Sequence, residues 1–123
     1  MPGAITSIPD LIKRLKEARK LIGGRWDGQK LDDVKGKVKI DASQNLVIPA
    51  TFKHEGVAHE VDAKRKAIGE KATIKIDGET KENPDIDIKI KWGFKIKVLY
   101  ILQYDEGGED HELVLRAVVR PFG

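Results

Sequence analysis

The sequence predicts a mainly β protein in which one N-terminal amphipathic helix is followed by an antiparallel meander barrel of about six to eight strands. Three observations carry this. The apolar spacing is three and four residues before Gly23-Gly24 and two residues after it. Tight-turn pairs such as Glu55-Gly56 and Asp77-Gly78 separate the alternating segments. The chain has 123 residues, of which 40% are hydrophobic and 35% charged. That is enough for a single domain over 1–123 with one core and no covalent staple.

The helix is expected over 7–22. Ser7-Ile8-Pro9-Asp10 combines an N-cap serine, a first-turn proline and an acid three residues after the cap. Ile8, Leu11, Ile12, Leu15, Ala18 and Ile22 then form one stripe, and Gly23-Gly24 provides a stop. Lys13, Arg14, Lys16, Arg19 and Lys20 lie in this segment, so the net charge of +3 is concentrated there.

From residue 25 to 119 the alternation is that of antiparallel strands. Val38 and Ile40 begin it, and Ala42-Ser43-Gln44-Asn45 turns the chain. Leu46, Ile48, Ala50 and Phe52 share one face, as do Val57, His59, Val61 and Ala63 after the Glu55-Gly56 turn. Ile74 and Ile76 precede Asp77-Gly78, and Asn83-Pro84 marks a short strand with a loop. Ile86, Ile88, Ile90, Trp92, Phe94, Ile96, Val98, Tyr100, Leu102 and Tyr104 all have one parity. A single straight strand of that length would reach roughly 60 Å. Gly93 is therefore either a sharp bend or a strand break. Leu99 and Ile101 interrupt the opposite, lysine-rich face, which predicts cover on both sides there. Leu113 to Val119 closes the pattern, and no internal repeat or linker is visible. The same order of elements also fits a cystatin-like or nuclear-transport-factor-like sheet curved around the helix. The barrel is preferred because it removes open strand edges.

Gly24-Arg25-Trp26 resembles the G-x-W that opens lipocalin-like (calycin) domains, and Asp27-Gly28-Gln29-Lys30-Leu31, Pro84-Asp85-Ile86-Asp87 and Arg120-Pro121 are similar to stretches of small bacterial members. The resemblance implies that Trp26 closes the lower end of a barrel against Arg116 or Arg120. The regular Lys/Ile alternation from Ile86 to Val98 would equally fit a barrel designed on that template.

The functional reading follows from the inward parity. Phe52, His59, Trp92, Phe94, Tyr100 and Tyr104 are the candidate lining of a cavity for a small apolar or aromatic ligand in a non-enzymatic binding protein. The bland alternative is a scaffold whose core is simply full. A third reading, a small enzyme in a cone-shaped sheet, would use His59 or a buried acid. No nucleophile elbow, phosphate loop or carboxylate pair supports a catalytic assignment, so no catalytic residue is nominated. The chain has no Cys and only His54, His59 and His111, which points away from a metal centre, and no cofactor is implied. Asp105, Glu106, Glu109 and Asp110 around Gly107-Gly108 read as a solvated hairpin tip. The basic segment contains no aromatic, which argues against nucleic acid. Without a signal peptide or an apolar run long enough to span a bilayer, the expectation is a soluble protein, cytoplasmic or recombinant.

Overall fold

The computed structural model describes residues 20–66 and 71–119. Most of the expected helix, and Arg120, lie outside these. The strands are β1 (Leu21–Trp26), β2 (Gln29–Lys30), β3 (Asp32–Gly36), β4 (Lys39–Ile40), β5 (Leu46–His54) and β6 (Val57–Arg65), followed by β7 (Ala72–Ile76), β8 (Glu79–Thr80), β9 (Glu82–Lys91), β10 (Ile96–Glu106) and β11 (Glu109–Val119).

Their hydrogen-bonded order gives two antiparallel sheets, β2-β1-β11-β10-β9 and β3-β5-β6-β7-β8, with β4 also on β5. The mainly β, antiparallel expectation holds. A closed barrel does not form among the described residues, because the ladders end at two corners where the chain changes sheet. Leu31 joins β2 to β3 and donates its amide to Gly24 (3.1 Å), while Lys81 joins β8 to β9 and donates to Ile74 (2.8 Å). Among the described residues the first corner adds only the isolated Lys20–Lys37 bridge, so neither corner carries the continuous ladder of a barrel.

Asp27-Gly28, Glu55-Gly56, Asp77-Gly78 and Gly107-Gly108 all have positive φ at both positions. These are two-residue hairpin turns whose twist matches that of the flanking strands. The end of the expected helix is corrected. Leu21 and Ile22 belong to β1, where Leu21 pairs with Ala117 and is buried. The register shift between Leu21 and Gly23 makes Ile22 the extra residue of a bulge, half exposed on the outer face. Gly24 serves close approach rather than helix termination: a Cβ there would stand 2.3 Å from the Val114 carbonyl oxygen.

A repeat that the sequence does not display is present in the topology. The run β1–β2–β3–β5–β6 has the same pairing pattern as β7–β8–β9–β10–β11, with the two corners and the four turns in corresponding places. Each half's first strand pairs with the last strand of the other, β1 on β11 and β7 on β6.

The core lies between the sheets and is filled by the expected alternation: Leu46, Ile48, Ala50 and Phe52 from β5, Val61 and Ala63 from β6, and Val98, Tyr100, Leu102 and Tyr104 from β10. Gly93 marks a strand break, since β9 ends at Lys91 and β10 returns antiparallel with Lys97 opposite Lys91. Asn83 and Pro84 fall inside β9, at a register shift opposite Gln103 and Asp105.

Candidate functional site

The four hairpin turns gather at one end of the sandwich, with Trp26 at its centre. Its indole N–H donates to the Tyr104 hydroxyl at 2.8 Å. Its ring stands edge-on to Phe52 and His59, at centroid distances of 5.5 and 4.9 Å, and tilted against His54 at 5.4 Å. Of the two arginines named from the sequence, Arg116 takes no part in this floor and Arg120 lies outside the described residues. Trp26 pairs with Leu113 and shares its inward face, whereas Arg116 is of opposite parity on β11 and projects outward over Gly23.

Two histidine–aspartate pairs lock the floor in the same way. His59 Nδ1 meets Asp77 Oδ2 at 2.6 Å, and the Glu60 amide donates to Asp77 Oδ1 at 2.9 Å. His111 Nδ1 meets Asp27 Oδ2 at 2.7 Å, and the Glu112 amide donates to Asp27 Oδ1 at 2.8 Å. In each case an Asp-Gly turn is tied to the His-Glu step of the neighbouring hairpin. Partial burial opposes ionisation of Asp27 and Asp77, but the histidine and amide hydrogen bonds outweigh it and hold both carboxyls below their usual range. The bond to Asp27 raises the His111 pKa above its ordinary value. His59, nominated as a possible base, thus has one ring nitrogen engaged and its faces packed against Trp26 and Phe52. No acid is buried among the described residues.

The nominated cavity residues divide. Phe52, Tyr100 and Tyr104 point inward and are buried. They pack the core, Tyr104 also bordering a concavity at the floor end, and the Tyr100 hydroxyl has no hydrogen-bond partner among the described residues. Burial raises the Tyr100 pKa, and that of Tyr104, where the Trp26 donor partly opposes it. Trp92 and Phe94 do not face inward: they are 57% and 98% exposed. The parity argument lapses at Lys91, where β9 ends and the chain enters the 92–95 loop.

Concavities occur on the outside. One, of about 400 Å³ at the floor end, is lined by Asp27, Asp85, Asp105, Asp110 and Glu112 with His111. The Asn83 amide donates to Asp105 at 2.8 Å and holds its carboxyl below the usual range, while the neighbouring Asp105 raises that of Asp110. No grouping fit to hold a metal occurs among the described residues. Another, of about 580 Å³, lies on the outer face of the β2-β1-β11-β10-β9 sheet. Ile22, Leu99 and Val114 give it an apolar floor, and Arg25, Lys30, Lys91, Lys97 and Arg116 surround it without a carboxylate. None of these five cations forms an ion pair with a described residue. Its signal was present in the sequence, in Leu99 breaking the lysine face and in Gly23-Gly24 removing two side chains beside it. The inward parity drew attention away from it.

Compared with protein-family models, curated proteins and solved structures, the chain shows no significant match to any. No helix among the described residues is long and apolar enough to cross a membrane.

Proposed function

We propose that the protein is a non-enzymatic binding domain for a small amphiphilic anion, an apolar or aromatic body carrying a carboxylate, sulfonate or phosphate. The observation that carries this is the outer cleft, where an apolar floor lies inside a ring of five cations with no carboxylate among its lining. An apolar body covers Leu99 and Val114, and the acidic group meets Arg116, whose planar fork suits two acceptor oxygens. The sheets are read as a flattened lipocalin-like barrel, supported by Gly24-Arg25-Trp26 at the floor and by the first strand pairing with the last. In this reading the ligand sits outside the filled core. The packing of Phe52, Tyr100 and Tyr104 favours the second reading, a scaffold without a ligand.

Titration with anilinonaphthalene sulfonate separates the two. Saturable fluorescence enhancement that weakens on Arg116→Gln and is competed by a long-chain carboxylate, but not by its alcohol, is the expected result. Absence of saturable binding would leave the scaffold.

A further inference from the structure

Among the described residues, the largest exposed apolar side chains are concentrated at one point. Trp92 and Phe94 stand 57% and 98% exposed in the loop that joins β9 to β10, on either side of Gly93. A folded domain gains nothing from presenting two large aromatics to water at a hairpin tip, so such a patch marks a contact surface. Its chemistry is specific. Lys89 and Lys91 lead into it and Lys95 and Lys97 lead out, all four exposed. Lys20 and Lys37, bridged across β1 and β3, lie at the same end of the sandwich.

The opposite end has the opposite sign. The β10–β11 turn is flanked by Asp105, Glu106, Glu109 and Asp110, and the strands that separate it from the aromatic loop are 11 residues long. At about 3.3 Å per residue the two ends stand roughly 35 Å apart. This charge polarity orients the molecule: a negatively charged plane attracts the aromatic end and repels the far one.

We propose that the β9–β10 loop docks on an anionic lipid bilayer, with Trp92 and Phe94 entering the boundary between headgroups and acyl chains and the flanking lysines at the lipid phosphates. Aromatic rings prefer that boundary, and lysine stems extend along it while their ammonium groups stay with the headgroups. A bilayer is favoured over single-stranded nucleic acid by shape. Bases stack along a groove that tracks the backbone, whereas these rings sit at the convex tip of a hairpin. The inference goes beyond the anion cleft and does not depend on it.

The test is sedimentation of the full chain with phosphatidylserine–phosphatidylcholine vesicles against phosphatidylcholine alone, with tryptophan quenching by brominated acyl chains as a second readout. Binding only to the anionic vesicles, weakened by salt and accompanied by quenching, is expected. Phe94→Ser with Trp92→Ser should abolish both signals, and Lys89→Gln with Lys95→Gln, neither of them in the cleft lining, should weaken binding on the order of tenfold or more. Arg116→Gln should leave vesicle binding intact while weakening the cleft, so that the two readings fail separately. Anilinonaphthalene sulfonate binding to the loop variants verifies that they are folded where the cleft is active, and circular dichroism does so where it is not. No sedimentation with anionic vesicles, binding unchanged in the aromatic double variant, or retention on a single-stranded oligonucleotide without quenching would each overturn the proposal.

Discussion

Tyr100→Phe is expected to stabilise the protein, although deleting a core atom ordinarily does the reverse. The Tyr100 side chain is fully buried and its hydroxyl has no partner among the described residues, so folding strips that group of water without a hydrogen bond in exchange. Leaving a buried polar group unsatisfied costs about 1–3 kcal/mol. Removing the oxygen leaves a void of about 10–15 Å³, the size of one water probe, which at about 24 cal/mol per Å³ costs roughly 0.3 kcal/mol. The net gain is about 0.7–2.7 kcal/mol. Tyr104→Phe is the matched control. Its hydroxyl accepts the Trp26 indole N–H at 2.8 Å, so the same deletion should lose about 0.5–1.5 kcal/mol. Urea unfolding followed by far-ultraviolet circular dichroism reads both variants, with the comparison valid while the slope against urea stays constant. A fall in midpoint for Tyr100→Phe as large as that for Tyr104→Phe would refute the argument, since it would mean that the Tyr100 hydroxyl is satisfied.

Two further outcomes concern backbone and charge. Gly24→Ala should destabilise by about 3 kcal/mol, the upper range of overpacking, because the new Cβ meets the Val114 carbonyl rather than a movable side chain. Gly28→Ala meets nothing and should lose only about 1 kcal/mol from its left-handed φ, a contrast that urea midpoints will show. The Asp27–His111 pair should make stability depend on pH at both ends. His111 has a folded pKa raised above 6.5, so its contribution is complete below 6.5 and is lost as pH rises through the folded value. Asp27 is lowered from 3.8, so its contribution is present above 3.8 and is lost as pH falls through the folded value. Nuclear magnetic resonance titration of the imidazole protons should place the His111 midpoint above 6.5 and show it falling in Asp27→Asn; an unmoved midpoint would mean that the pair does not form in solution.

Much of the fold was legible because burial in a two-layer β protein follows parity. Leu46 to Phe52 and Val98 to Tyr104 show it unbroken, and the glycine-containing pairs announced the turns. Where parity misled, a strand had ended or a long-range partner had intervened. Trp92 and Phe94 continue the alternation on paper, but a loop has no inward face. Ile22 fits a helical stripe, yet the backbone of β11 draws the Leu21–Trp26 segment into a strand, and such pairing with a distant segment leaves no local mark. The Trp26 floor was half legible. Gly24-Arg25-Trp26 drew attention to the ring, but its polar partner is the Tyr104 hydroxyl, and the expected guanidinium of Arg116 lies on the other side of the sheet. The locks were written in the order Asp-Gly, His-Glu, Asp-Gly, His-Glu, which becomes readable only once the strand order pairs the first with the last.

That exchange of first strands has a consequence for how the chain must assemble. Either half alone lacks the strand that would complete its own sheet and carries one that fits only its counterpart, so the chain is wired like two identical subunits joined into one. The β1–β11 ladder joins residues from Leu21–Ala117 to Trp26–Leu113, contacts that span nearly the whole described sequence. Such closure is won last and late, since a long loop must be immobilised before any of its pairs form. A half synthesised first therefore waits with an unsatisfied edge on β6 until β7 arrives, and the sheet of the second half waits in turn for the oldest strand of all.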